Sequence, residues 1–219
     1  MRMRMACLRL AAAVAMSAGG AFGAGGVGIT PKVGTLGLGA DVTLGVAPRL
    51  NLRAGYNGLA YDRDFSVDEA EVTGRLDWRT IPVLLDWHIF EGGFRLSAGG
   101  VLNNNEVSIS ADPTEPLEVQ GAEYWIDSLD GKITFNPVGW YFGMGYGNAV
   151  GKEQRWHFAC DFGVMYHGAP DVKAGATAAD PLVQELLNQD LRQEVADFRA
   201  DIKPYVWYPV ISVGVSFKF

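Results

Sequence analysis

At 219 residues the chain is long enough for one large domain or two small ones. A composition of 48% hydrophobic and 20% charged residues excludes a disordered chain. A formal net charge of −7, with a pI near 4.9, argues against nucleic acid as a partner. The 28 glycines are about twice the usual share.

The first 23 residues have the layout of an export signal. Arg2, Arg4 and Arg9 form a basic start, Leu8 to Met16 a short apolar run, and small residues end in Ala21-Phe22-Gly23, with cleavage predicted before Ala24. The run is too short to cross a bilayer as a helix. Cys7 precedes it instead of ending it, so no lipoprotein anchor is predicted. Loss of the three arginines takes the formal charge from −7 to −10. Cys160 is then the single cysteine. It has no disulfide partner, lies among alternating apolar residues without an activating neighbour, and reads as a packing residue. Residues 24–219 read as one domain.

From residue 27 onward apolar and polar residues alternate with the period of two that marks strands. Eight strands are predicted. The first is short, Val27 to Thr30, with a tight link through Pro31-Lys32. The second, 34–46, carries Leu36, Leu38, Ala40, Val42, Leu44 and Val46 on one face, with Asp41 and Thr43 among small residues on the other. Further strands are predicted at 50–61, 71–90, 94–110, 130–150, 154–174 and 205–219. In 71–90 the apolar phase changes near Pro82, from Val72, Leu76 and Trp78 to Val83, Leu85, Trp87 and Ile89. In 130–150 it changes near Pro137, from Ile133 and Phe135 to Val138, Trp140, Phe142 and Met144. A β-bulge at each proline would absorb one residue.

Between the last two strands the period becomes helical. Asp180 is a candidate N-cap with Pro181 at the first position, and Val183, Leu186, Leu187, Leu191, Val195, Phe198 and Ile202 follow at helical spacing. The insertion at 180–203 is predicted to be a lid packed on the rim or on the loop at 112–128. A docking site for a partner helix or surface ligand is the alternative.

A soluble sandwich would alternate too, and three features favour a membrane-spanning barrel. Segments hold about ten or more residues, matching a tilted span. Trp87, Phe94, Trp156, Phe217 and Phe219 gather at one set of ends, and Trp140, Tyr166, Trp207 and Tyr208 at the other, as interfacial girdles do. Short connections (Ala47-Pro48-Arg49, Glu91-Gly92-Gly93, Gly151 to Arg155) alternate with long ones (62–71, 112–128, 175–204), the asymmetry of periplasmic turns and outer loops. The strands that change phase are predicted to continue beyond the membrane as an extracellular rim. The chain ends on Ile211, Val213, Val215, Phe217 and Phe219, alternating with Ser212, Gly214, Ser216 and Lys218. This ending resembles the closing strand that the Gram-negative barrel-assembly machinery recognises. As a pattern over 27–219, and not residue by residue, the chain resembles the small outer-membrane β-barrels around the OmpA transmembrane domain and OmpW. The resemblance implies an all-β, antiparallel up-and-down barrel, porin-like and at the cell surface in the bacterial outer membrane. It brings no functional motif.

With the apolar face toward lipid, the lumen receives Asp41, Arg53, Asp86, His88, Arg95, His157, Asp161 and Lys218. All lie near short turns or the terminus, so they form a belt in the periplasmic half. Asp41, Asp86 and Asp161 balance Arg53, Arg95 and Lys218. Eight strands leave a lumen that side chains fill, so a barrel plugged by ion pairs, of structural or surface-binding role, is predicted. A narrow low-conductance channel for ions or small solutes is the alternative, and a lipid-modifying enzyme of the outer leaflet the second. Asp86 and His88 share a face as half of an Asp-His pair would, and His167 lies nearer the outer surface. No G-x-S-x-G, H-E-x-x-H or cysteine pair is present, and no catalytic, metal or cofactor site is predicted. Expected partners are outer-membrane lipid, lipopolysaccharide and, during insertion, the assembly machinery. A monomer is expected.

Overall fold

A backbone that crosses hydrocarbon must satisfy its hydrogen bonds within itself, and this chain does so by closing a ring of strands. The computed structural model describes residues 26–67, 70–90, 92–113, 116–151 and 155–219; the predicted export signal lies outside them. In chain order they form β1 (Val27–Gly34), β2 (Gly37–Ala47), β3 (Leu50–Val67), β4 (Ala70–Trp87), β5 (Phe94–Asn103), β6 (Glu106–Asp112), β7 (Leu117–Val119), β8 (Ala122–Tyr124), β9 (Ser128–Thr134), β10 (Val138–Tyr146), β11 (Trp156–Tyr166), β12 (Asp171–Thr177), α1 (Pro181–Ile202) and β13 (Trp207–Lys218). β1, β2, β3, β4, β5, β10, β11 and β13 pair in that order, each antiparallel to the next. β13 returns to β1, so the eight strands close into a barrel.

The first hairpin differs from its expectation. β1 continues through Pro31 and Lys32, and the turn falls at Thr35-Leu36, with Gly34 opposite Gly37. Gly37 adopts a φ of 94°, which a residue with a side chain would resist. Leu36, expected to face lipid, therefore packs inward against Leu84, Val101, Tyr141, Met165 and Val210.

Around the barrel an apolar band points outward. Leu38 is 68% exposed, and Val83, Leu85, Phe142, Met144, Phe158, Phe162, Ile211, Val213 and Val215 are exposed with it. A continuous apolar surface of this extent on a closed barrel is a lipid-facing surface. Trp87, Trp156 and Phe219 are exposed at the end holding the short turns, and Trp140, Tyr166 and Trp207 at the other. Tyr208, expected in the outer girdle, turns inward instead. It stacks edge-on against Trp78 at 5.0 Å and donates to the Thr35 carbonyl at 2.8 Å.

The changes of phase are not bulges. β3 and β4 keep one register throughout, from Leu50 opposite Trp87, through Asn57 opposite Thr80, to Val67 opposite Ala70. The even positions of β4 face inward along its whole length, as buried Val72, Thr80, Leu84 and Asp86 show. What inverts is the surrounding medium. Within the bilayer the outward positions Ile81, Val83, Leu85 and Trp87 are apolar. Beyond it the outward positions Thr73, Arg75, Asp77 and Arg79 are polar, and apolar Val72, Leu76 and Trp78 are the inward ones. The expected loop at 62–71 accordingly gives way to a hairpin, as β3 and β4 project past the membrane.

The segments predicted as single strands at 94–110, 130–150 and 154–174 each break at the outer rim, into β5 and β6, β9 and β10, and β11 and β12. Hydrogen bonds knit the breaks together. Asn103 N donates to the Pro137 carbonyl at 2.9 Å, Asn104 N to the Arg79 carbonyl at 2.9 Å, and Asn103 Nδ2 to the Asn136 carbonyl at 3.3 Å. The Asn105 side chain accepts from Arg79 N at 3.0 Å. β6, β9 and β12 then extend the outer half of β4 as a second sheet, in the order β4-β6-β9-β12.

α1 packs against β12, the last strand of that sheet, and against the β7-β8 hairpin. Asp180 caps it, Oδ1 accepting from Leu182 N at 2.8 Å. Leu187 and Leu191 are buried against Tyr124, Ile126 and Ala176, with Val119, Ala122 and Leu129 around them. The helix thus packs on the β7-β8 hairpin and on β12. The Tyr124 hydroxyl donates to Asp190 at 2.5 Å, and that carboxylate holds the phenol above its ordinary range. Arg199 pairs with Asp171 at 3.0 Å.

Two predictions follow the two environments of one strand face. Val83→Arg is expected to cost about 2–4 kcal/mol in vesicle unfolding by urea, whereas Thr73→Arg, on the same face beyond the bilayer, stays within about 0.5 kcal/mol. Equal costs would refute the inversion. Leu187→Ala is expected to cost the outer unit about 2–5 kcal/mol and to open 181–202 to protease while the barrel keeps its unboiled gel mobility.

Candidate functional site in the barrel lumen

Inward positions alternate with lipid-facing ones on every barrel strand, so the charged residues of six strands converge below the barrel's midpoint. Arg53 of β3 is at their centre. Its Nη1 donates to Asp161 Oδ2 of β11 at 2.8 Å and to Asp41 Oδ2 of β2 at 3.3 Å. Its Nη2 donates to Asp161 Oδ1 at 3.1 Å and to Asp86 Oδ1 of β4 at 3.0 Å, and its Nε lies 2.9 Å from Asp86 Oδ2. Arg95 of β5 shares Asp161, with Nη2 donating to Oδ1 at 2.7 Å, and also donates to the Gly147 carbonyl. Lys32 of β1 closes the set at 2.8 Å from Asp41 Oδ1. Ser97 donates to Asp86 at 2.6 Å and Ser212 to Asp161 at 3.4 Å.

Three carboxylates face three cations, and each of these six groups is nearly shut off from solvent; the Asp41 side chain is 1% exposed and that of Arg53 5%. Charges so buried are tolerable only when paired and hydrogen-bonded on most sides, a condition that Arg53 meets with five donor contacts to carboxylates and Ser97. Glycines make the space. A β-carbon on Gly145 would stand 2.8 Å from Asp161 Oδ1 and 3.0 Å from the Arg95 guanidinium carbon.

Of the eight residues predicted to line the lumen, Asp41, Arg53, Asp86, Arg95 and Asp161 form this cluster. His88 is buried just beneath it, toward the short turns. His157 and Lys218 lie at the mouth; Lys218 Nζ donates to the Gly151 carbonyl at 2.9 Å, near the imidazole of His157. The third cation of the cluster is therefore Lys32 and not Lys218. Pro31-Lys32, expected as a turn, is part of β1, and the strand aims Lys32 inward at Asp41.

Above the ion pairs the lumen turns apolar. Leu84, Val101, Tyr141, Met165 and Val210 fill it from wall to wall, capped by Leu36 and Tyr208. Tyr141 lies along the wall over two glycines; a β-carbon on Gly163 would fall 2.6 Å from its hydroxyl. Below the pairs, a cavity of about 10 Å³ opens among Thr43, Asn51, Arg53, Asp86, His88 and Arg95. That is room for about one water molecule. Asp86 commits its oxygens to Arg53 and Ser97, away from His88. His167 is buried at the outer rim with its ring edge-on to Phe135 at 4.8 Å. Among the described residues no three His, Cys, Asp or Glu side chains converge as a metal site.

No family model matches the chain, and no curated protein matches it. Solved structures do. CarO of Acinetobacter baumannii superimposes with a TM-score of 0.54 at 23% identity, over 89% of this chain and 98% of that one. CarO2 of the same organism gives 0.56 at 20% identity, again over 89% and 98%. The likeness is one of fold, and it extends over 89% of this chain and 98% of each solved one.

Asp161→Asn removes the carboxylate that Arg53 and Arg95 share and strands buried cations. It is expected to cost about 3–5 kcal/mol in urea unfolding from micelles. Lys218→Gln, at the mouth, is expected to cost about 1 kcal/mol or less. Equal losses would mean that the cluster carries no special weight.

Proposed function

We propose that the chain is a bacterial outer-membrane protein of structural or surface-binding role, a barrel that anchors its outer unit and lets nothing through. The observation that carries this reading is the filled lumen: a neutral cluster of five buried charges and the partly buried Lys32 beneath a layer of five buried side chains. A solute would have to displace Tyr141 and Met165 and break the contacts of Arg53, and desolvating those charges singly costs several kcal/mol each. The apolar outer band, to which β13 contributes Ile211, Val213 and Val215, and the export-signal layout of residues 1–23 support the location. The β4-β6-β9-β12 sheet and α1, which stand beyond the band, are what such a protein presents to its surroundings.

Planar-bilayer recording of the refolded protein, with folding checked by unboiled gel mobility, tests this. Silence is expected. Reproducible unitary steps that change with Asp86→Asn would overturn the plugged barrel and make the cluster a gate.

A further inference from the structure

The outward face of the second sheet carries a groove that the plugged-barrel reading leaves unused. Cross-strand register sets Arg75, Ser108, Lys132 and Lys173 in one row. The neighbouring row is Thr73, Ser110, Asp130 and Gly175. A groove of about 390 Å³, within the size range of small-ligand sites, runs along these rows short of Arg75, and Ile109, Gly131 and Ala174 complete its lining.

Two features give the groove its chemistry. Lys132 and Lys173 are direct cross-strand partners, a placement of like charges that destabilises a sheet and that a bound anion would relieve. Lys132 is drawn to Glu106 at 2.8 Å, while Lys173 has no ion-pair partner among the described residues. Beside the lysines lie the hydroxyls of Thr73, Ser108 and Ser110 and the carboxylate of Asp130, which accepts from Ser110 at 2.7 Å. Acids and hydroxyls hydrogen-bond sugar hydroxyls; paired ammonium groups take a phosphate. The mixture suits a phosphorylated sugar better than a bare polyanion.

Height narrows the source. The row crosses β4 at Arg75, six residues beyond lipid-facing Ile81. At about 3.3 Å per residue and a tilt near 40°, that is roughly 15 Å past the hydrocarbon, where the inner sugars of an outer-leaflet glycolipid stand. We propose that this groove binds a phosphorylated sugar of lipopolysaccharide, with Lys132 and Lys173 on the phosphate and Thr73, Ser110 and Asp130 on the ring hydroxyls. The proposal rests on the outer-membrane location argued above.

The test uses the full mature chain folded in micelles, titrated with deep-rough lipopolysaccharide, the same glycolipid dephosphorylated, and glucose 6-phosphate. Two variants accompany it, Lys132→Gln with Lys173→Gln, and Gly175→Leu. A β-carbon at Gly175 meets nothing within 4 Å, so that variant fills the groove without disturbing the sheet. Both are expected to keep the unboiled gel mobility and to bind the phosphorylated glycolipid at least about tenfold more weakly. Unchanged affinity in both, or equal affinity for the dephosphorylated form, overturns the proposal. Equal affinity for glucose 6-phosphate overturns the lipid source and assigns the groove to a free sugar phosphate. Membrane fractionation of the wild type separates these failures from that of the location, since a chain absent from the outer membrane defeats the earlier reading whatever the groove binds.

Discussion

Inside a bilayer no water is available to take up a stray amide or carbonyl, and each one left unpaired costs several kcal/mol. The pairing of β1 with β13 answers that constraint, because an open sheet would leave two edges facing lipid. Closure at eight strands then fixes a lumen narrow enough to be filled by side chains. The glycines of the wall, the buried charges and the apolar layer are ways of filling it. The same constraint lapses where the strands leave the membrane, and there β5, β10 and β11 end while others take up a new sheet. Hydrogen bonds donated by Asn103 and Asn104, and one accepted by the Asn105 side chain, cover the backbone groups freed at that change.

The lumen also shows why charge is compatible with a stable interior. Three aspartates on three strands meet one guanidinium with a fork of donors. A lysine at position 53 would offer a single ammonium to three acceptors spread around it. Arg95 and Lys32 then share out the remaining negative charge, so that no carboxylate is left without a cation. A barrel closed this way is held across its width by contacts between non-adjacent strands, and not only around its circumference by the ladder.

Much of this architecture was legible in the residues because one face of each strand meets a uniform medium. The alternation in 156–166 and 207–218 needs no tertiary context to interpret, and it places Asp161 inward. Other features were not legible for physical reasons. Val72, Leu76 and Trp78 face the same way as Thr80, Leu84 and Asp86, yet their polarity is opposite because water, not lipid, lies outside them. A pattern of residues cannot by itself distinguish a change of medium from a slip of register. Pro31 reads as a turn because it lacks a ladder donor, although β1 accommodates it and carries Lys32 onward to Asp41. The breaks at the rim did leave a signal, the run Asn103-Asn104-Asn105, whose side chains favour local backbone bonds over a continuing strand.

The partners of Arg53 are spaced along the chain in a way that orders their assembly. Asp41 is 12 residues away and Asp86 is 33, each on a strand directly beside β3. Asp161 is 108 residues away, on a strand that becomes a neighbour across the lumen only when the ring is whole. Nascent hairpins can therefore shelter the guanidinium with two carboxylates early, at low cost in loop entropy. With Lys32 on Asp41, the strands β1 to β4 hold two cations and two carboxylates, and Asp161 is the partner that reaches Arg53 from across the lumen. The cluster thus ties the early strands to β11 across the lumen, a link that no single hairpin possesses.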